Sequence, residues 1–158
     1  MKTAVVSGTF DPITVGHADI IERAAQIFGK VIVAVSQNTE KHNMFGEKTR
    51  FDSVKAVYEG RKDVKVVLLK GLLAELVKKH NGVLVRGVRG TGDYDYETDL
   101  AMINSELEGV DTVFIPARPE YSFVSSTFVR DLVIYHRPIE KYVPEKALKV
   151  LENEIDNH

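Results

Sequence analysis

Residues 2–36 read KTAVVSGTFDPITVGHADIIERAAQIFGKVIVAVS. Lys2 to Ser7 form a short run of small and β-branched apolar residues, which predicts a buried strand. From Gly16 to Phe28, the residues Ile20, Ile21, Ala24, Ala25, Ile27 and Phe28 recur at helical spacing, and Gly29 stands where that helix would stop. Val31 to Ser36 is a second buried strand. Two apolar strands joined by an amphipathic helix are the unit of a parallel sheet.

Outward from this unit the alternation continues. Residues 37–46 are polar and predict a loop. Glu47 to Tyr58 predicts a helix with Phe51, Val54, Val57 and Tyr58 on its apolar face. Strands are expected at Val64 to Leu69, Val83 to Arg86 and Thr112 to Ile115. A short helix is expected from Leu72 to His80 and a long one from Tyr94 to Leu107. Residues 87–92 read as a Gly-rich loop and 116–124 as a loop with two prolines. A helix from Ser125 or Ser126 to about Tyr135 follows, and a last one with Pro144 at its first position. The strands are continuous Val/Ile/Leu runs, so the expectation is an α/β, Rossmann-like, doubly wound sheet of five parallel strands with a C-terminal helix. No linker or repeat divides residues 1–158, so one domain is expected.

Composition narrows the function. The 158 residues suffice to bury a core. With 44% hydrophobic and 28% charged residues, the chain reads as globular rather than membrane-spanning or disordered. The net charge of −2 lacks the basic excess of a duplex binder, so nucleic acid is not an expected partner. The absence of cysteine excludes disulfides, thiolate metal sites and a cysteine nucleophile. The apolar run of the first strand falls short of the roughly 7–15 residues of a signal peptide. No stretch approaches the ~20 apolar residues of a membrane span. A cytoplasmic location is the expectation.

Four segments carry chemistry. GTFDPITVGH, residues 8–17, joins the first strand to its helix; Gly16 and His17 open that helix, and a helix N-terminus attracts anions. It is neither a Walker A loop nor G-x-G-x-x-G. Spacing alone leaves a plain βα turn with a surface histidine equally open. YSFVSSTFVR, residues 121–130, places Ser125, Ser126 and Thr127 at another helix start, where one cap needs only one hydroxyl; Arg130 follows one turn later. VLVRGVRG, residues 83–90, ends a strand with Arg86 and adds Arg89, which suits phosphate binding or a salt bridge to the acidic run beyond. That run, DYDYETD at 93–99, reads as complementation of a helix dipole more readily than as a metal cluster. Lys41 lies in the polar loop, as a phosphate ligand or a solvated lysine. In a parallel sheet the loops bearing these residues share the carboxyl edge, where ligands bind.

The pair GTFDP…GH and SST..R resembles the paired signature of the HxGH-type nucleotidyltransferase superfamily. RGVRGTGDYDYE, YSFVSS and the PEKALKVL tail resemble the bacterial phosphopantetheine adenylyltransferase family, and the resemblance spans essentially the whole chain. It implies transfer of the adenylyl group of ATP to 4′-phosphopantetheine, giving dephospho-coenzyme A and pyrophosphate, with Mg2+. It implies that Thr9, Phe10, His17, Gly87, Val88, Arg89 and Glu97 meet ATP, together with Tyr121, Ser122, Phe123, Val124, Ser125, Ser126 and Thr127. It implies that Thr9, Lys41, Leu73, Arg86 and Asn104 meet phosphopantetheine. It further implies a homohexamer and coenzyme A as a feedback inhibitor. The chain departs from the family pattern at Ser7, where proline is usual, and at Gly90-Thr91, where an apolar pair is commoner. Thr127 and Arg130 replace the family's Ser and Lys, closer to the general superfamily form.

The acceptor of such a reaction is a phosphate monoester, largely dianionic at neutral pH. No protein base is needed. The expected machinery is positioning and charge stabilisation by His17, Lys41 and Arg89. Competing readings are a cytidylyltransferase acting on glycerol phosphate, a nicotinamide mononucleotide adenylyltransferase, a non-catalytic nucleotide or coenzyme A sensor, and a bare interaction module.

Overall fold

The computed structural model describes residues 1–37 and 42–158. Five strands, β1 (Thr3–Gly8), β2 (Val31–Ser36), β3 (Val64–Leu69), β4 (Gly82–Val88) and β5 (Thr112–Pro116), pair in parallel in the order β3-β2-β1-β4-β5. Six helices alternate with them: α1 (Val15–Phe28), α2 (Glu47–Val57), α3 (Leu73–Lys79), α4 (Thr91–Glu108), α5 (Ser126–Ile134) and α6 (Glu145–Ile155). The chain winds outward from β1 through β2 to β3, then returns to β4 on the other side. The order therefore reverses between β1 and β4, and a crevice opens there at the strands' carboxyl ends.

Alternate residues of each strand point to opposite faces. Ala4, Val6, Val31, Val33, Val35, Val83 and Val85 bury one face against α1, α2, α5 and α6. Val5, Ile32, Ala34 and Leu84 bury the other against Ala74 and Val77 of α3. The helix α1 stops at Gly29, whose φ of 81° suits a residue without Cβ and whose N–H caps the Ala25 carbonyl.

The expected fold is the one observed, with shifted boundaries. Gly87 and Val88 belong to β4 rather than to a loop, because both pair with β5. The next helix starts at Thr91 rather than Tyr94; Asp93 in its first turn accepts from the Arg89 main-chain N–H (3.2 Å). Pro144 is the N-cap of α6, one position before the expected one.

Candidate active site

A cleft of about 520 Å³ lies over the carboxyl ends of β1 and β4. Its walls are the turn from β1 to α1, the end of β4, the first turns of α4, and the segment leading into α5. The starts of α1 and α5 both face it, through Thr14, Gly16 and His17 on one side and Ser125, Ser126 and Thr127 on the other. They sit close: a Cβ on Gly16 would lie 3.4 Å from the Val124 carbonyl oxygen. Two helix N-termini aimed at one space favour an anion there.

His17 is the third residue of α1 and forms a reciprocal cap with Thr14. Its main-chain N–H donates to Thr14 Oγ1 (3.2 Å), and the Thr14 N–H donates to Nδ1 of the ring (3.0 Å). Because Nδ1 accepts a hydrogen bond, the neutral ring carries its proton on Nε2. Withdrawal of the ring from water, then the charges of Arg86 and Arg89, push its pKa down to about 4. At neutral pH His17 is therefore an uncharged Nε2–H donor. The Phe10 ring meets it edge to face, with centroids 5.1 Å apart.

Three arginines line the cleft. Arg86 grips Glu97 with both arms, Nε to Oε2 (2.8 Å) and Nη2 to Oε1 (2.9 Å), while Nη1 donates to the Ser7 carbonyl (2.9 Å) and hydroxyl (3.2 Å). Glu97 is buried, so this fork is a fixed strut between β1, β4 and α4. Arg89, just after β4, meets Asp93 in the first turn of α4 at 3.1 Å, an exposed pair that opens at little cost. Arg130 donates to the Asp11 carbonyl (2.8 Å) and to Thr127 Oγ1 (3.0 Å) and stands 3.7 Å from the Asp11 carboxylate. Ser125 caps α5 by accepting from the Phe128 N–H (3.0 Å), and Ser126 donates to the Pro12 carbonyl (2.8 Å). The hydroxyls of Ser125, Ser126 and Thr127 thus have distinct tasks, and the extra ones tie α5 to the β1–α1 turn.

Of the residues singled out in the sequence, Thr9, Phe10, His17, Arg86, Gly87, Arg89, Glu97, Tyr121, Val124, Ser125, Ser126 and Thr127 line this one cleft. Val88, Ser122, Phe123, Leu73 and Asn104 do not. Ser122 turns back to the Pro119 carbonyl (2.9 Å), and Phe123 packs on Phe128 and Tyr142. Leu73 packs beneath the sheet with the α3 core. Asn104 lies about two turns beyond Glu97 along α4. Lys41 lies outside the described residues.

Sequence reasoning passed over two residues that build the site. The Asp11 carboxylate is buried and accepts from the Met44 (2.9 Å) and Phe45 (2.8 Å) N–H groups. Arg50 is wholly buried beneath the turn. The available signal was its place on α2, one turn before Val54 on the apolar stripe.

A doubly wound sheet whose reversal point holds a neutral imidazole, paired helix starts and a row of arginines suits the phosphates of a nucleotide, and the matches to known proteins make the chain a nucleotidyltransferase. The cytidylyltransferase-like family model matches residues 5–132. A putative nicotinate-nucleotide adenylyltransferase from Vibrio parahaemolyticus shares the fold, with a TM-score of 0.68 at 19% identity over 98% of this chain and 94% of that one. Phosphopantetheine adenylyltransferases of Haemophilus ducreyi (39% identical, 98% of both chains) and Pasteurella multocida (42%, 97% of this chain and 98% of that one) align nearly end to end. That of Buchnera aphidicola is 42% identical over 99% of this chain and 96% of its own. The chain belongs to the phosphopantetheine adenylyltransferase family, and it is an enzyme of coenzyme A biosynthesis.

Proposed function

We propose that the family's reaction runs in the β1–β4 cleft, with ATP across the starts of α1 and α5 and the phosphate of 4′-phosphopantetheine beside the end of β4. An oxygen of the acceptor phosphate attacks the α-phosphorus of ATP. The bond from that phosphorus to the bridging oxygen breaks, and pyrophosphate leaves with the electron pair. The acceptor is already a dianion, so no protein group removes a proton. What the protein supplies is stabilisation of the charge that gathers on the α-phosphate oxygens. The observation that carries this reading is the tautomer of His17, whose neutral Nε2–H is fixed by the Thr14 N–H on its other side. Arg89, freed from its exposed partner Asp93, neutralises phosphate oxygens. Lys41, which lies outside the described residues, is assigned the same task by the family resemblance, and Lys41→Ala is expected to weaken acceptor binding or turnover.

Among the described residues no group of three His, Asp or Glu side chains is arranged to hold a metal ion. Mg2+ would arrive on the ATP phosphates, keeping most of its water, and would offset their charge. No step above depends on a protein cage for it. Leu73 and Asn104 would meet the pantetheine arm only if it extends well past the cleft. A cytoplasmic location, feedback by coenzyme A in the same cleft, and a homohexamer complete the proposal. In support of self-association, α4 presents Tyr94, Tyr96, Met102, Ile103 and Leu107 to solvent, more apolar surface than a solitary helix would leave uncovered.

Pyrophosphate release tests the reading directly. The purified protein should release it only when ATP, Mg2+ and phosphopantetheine are all present, and CTP should not replace ATP. Nucleotide binding without pyrophosphate release would leave a sensor instead.

A further inference from the structure

The turn from β1 to α1 leaves ordinary backbone at Phe10, whose φ of 51° lies in the left-handed region. A bulky residue stays there only when its surroundings over-determine it. One of those surroundings is Arg50, which is 1% exposed and absent from the cleft lining. Among the described residues its hydrogen bonds all go to main-chain carbonyls: Nε to Phe45 (3.2 Å), Nη1 to Thr9 (2.7 Å) and Ser36 (2.8 Å), and Nη2 to Gln37 (3.1 Å). A buried charge dispersed over carbonyls, with no carboxylate partner among the described residues, is an expensive way to hold loops together. The shortest of these bonds indicates a further role.

The Thr9 carbonyl and the Phe10 N–H belong to one planar trans peptide, so they point in opposite directions. With the oxygen held toward Arg50 in the interior, the N–H is directed toward the cleft that Thr9 and Phe10 both line. No acceptor for that N–H is found among the described residues. A cation on the carbonyl also polarises the peptide and strengthens its N–H as a donor. We propose that Arg50 is a positioning residue for the reaction: through the Thr9 carbonyl it aims and strengthens the Phe10 N–H as a donor to the ATP phosphates. The inference rests on the functional reading above, and it concerns a residue that touches no substrate.

The test begins with wild-type protein labelled with 15N at its seven phenylalanines, the Phe10 signal being identified by its loss in Phe10→Leu. A non-hydrolysable ATP analogue with a methylene bridge between the α- and β-phosphates should move the Phe10 amide proton downfield. Arg50→Met and Arg50→Lys should lose that movement. Their kcat per folded molecule, measured well below their melting temperatures, should fall roughly 10- to 100-fold. KM for ATP should change less than about threefold, because the remaining phosphate contacts persist. Arg50→Lys should fall between wild type and Arg50→Met, since an ammonium keeps the charge but not the fork. Variants that melt earlier yet keep kcat within about twofold, with the Phe10 movement intact, would reduce Arg50 to a structural role and overturn the proposal. Should neither variant fold, the wild-type measurement decides: an unmoved Phe10 amide overturns the proposal and a displaced one supports it. A wild type that binds the analogue but releases no pyrophosphate from ATP would instead overturn the functional reading, with the Phe10 movement still judging Arg50.

Discussion

His17 enters the cleft with one ring nitrogen already occupied, and two predictions follow from that at the scale of the residue. His17→Ala should lower kcat roughly 10²- to 10³-fold, the scale for one oxyanion donor, while leaving the fold intact; steady-state kinetics beside a thermal melt checks both halves. The second concerns acid. The ring titrates near 4 in the folded chain against 6.5 for an unperturbed histidine. Between those values the unfolded chain binds the extra proton, so stability falls as pH is lowered from about 6.5 toward 4. Melting temperatures of His17→Gln should decline less steeply over that window than those of the wild type. Equal slopes would mean that the ring is not held neutral. Residues such as His17, Arg86 and Arg89 were legible because each stands at a junction where apolar periodicity breaks. Arg50 was not, since its partners are carbonyls of Thr9, Ser36, Gln37 and Phe45, and main-chain acceptors leave no mark in a sequence.

Among elements, α1 fits tightly against the end of β4. A Cβ on Gly87 would lie 2.9 Å from Cγ1 of Ile20. Gly87→Ala should therefore destabilise the protein by about 1–3 kcal/mol, the cost of overpacking. In the double variant with Ile20→Ala, denaturant unfolding should show less loss than the sum of the single changes, because the alanine methyl enters the vacated space. The capping box at the start of α1 gives a separate prediction. Thr14→Ala should cost about 1 kcal/mol and Thr14→Ser much less. The main-chain N–H that sets the His17 tautomer survives in both, so their pH–rate profiles should match the wild type. Apolar periodicity located all five strands and six helices. It mislaid the boundary at residues 87–91, where glycines read as loop. Pairing with β5 extends the strand, and Asp93 bonding back to Arg89 starts the helix early. Both causes are contacts across the fold or the turn, which composition cannot register.

At the scale of the whole molecule, the outer side of α4 is an uncovered apolar flank, where Met102 is 66% exposed and Ile103 and Leu107 each 54%. Ile103→Lys combined with Leu107→Glu should break the proposed hexamer into smaller species of unchanged fold, read by sedimentation velocity and circular dichroism. An unchanged sedimentation coefficient would move the interface elsewhere. The parallel sheet was expected from its unbroken apolar runs. The position of β4 beside β1 was not, because long-range packing and not local pattern chooses a strand's neighbour. That adjacency sets Arg86 beside Ser7 and makes the cleft. Within it, Arg86, Arg89 and Arg130 each already face a carboxylate, of Glu97, Asp93 and Asp11. An entering anion must compete with a resident one at every guanidinium it approaches. A lone sulfate or inorganic phosphate has little to offer in that exchange. A ligand long enough to engage both helix starts while loosening the exposed Asp93 contact has much more, so the pairing acts as a filter that tells a nucleotide tail from the simple salts around it.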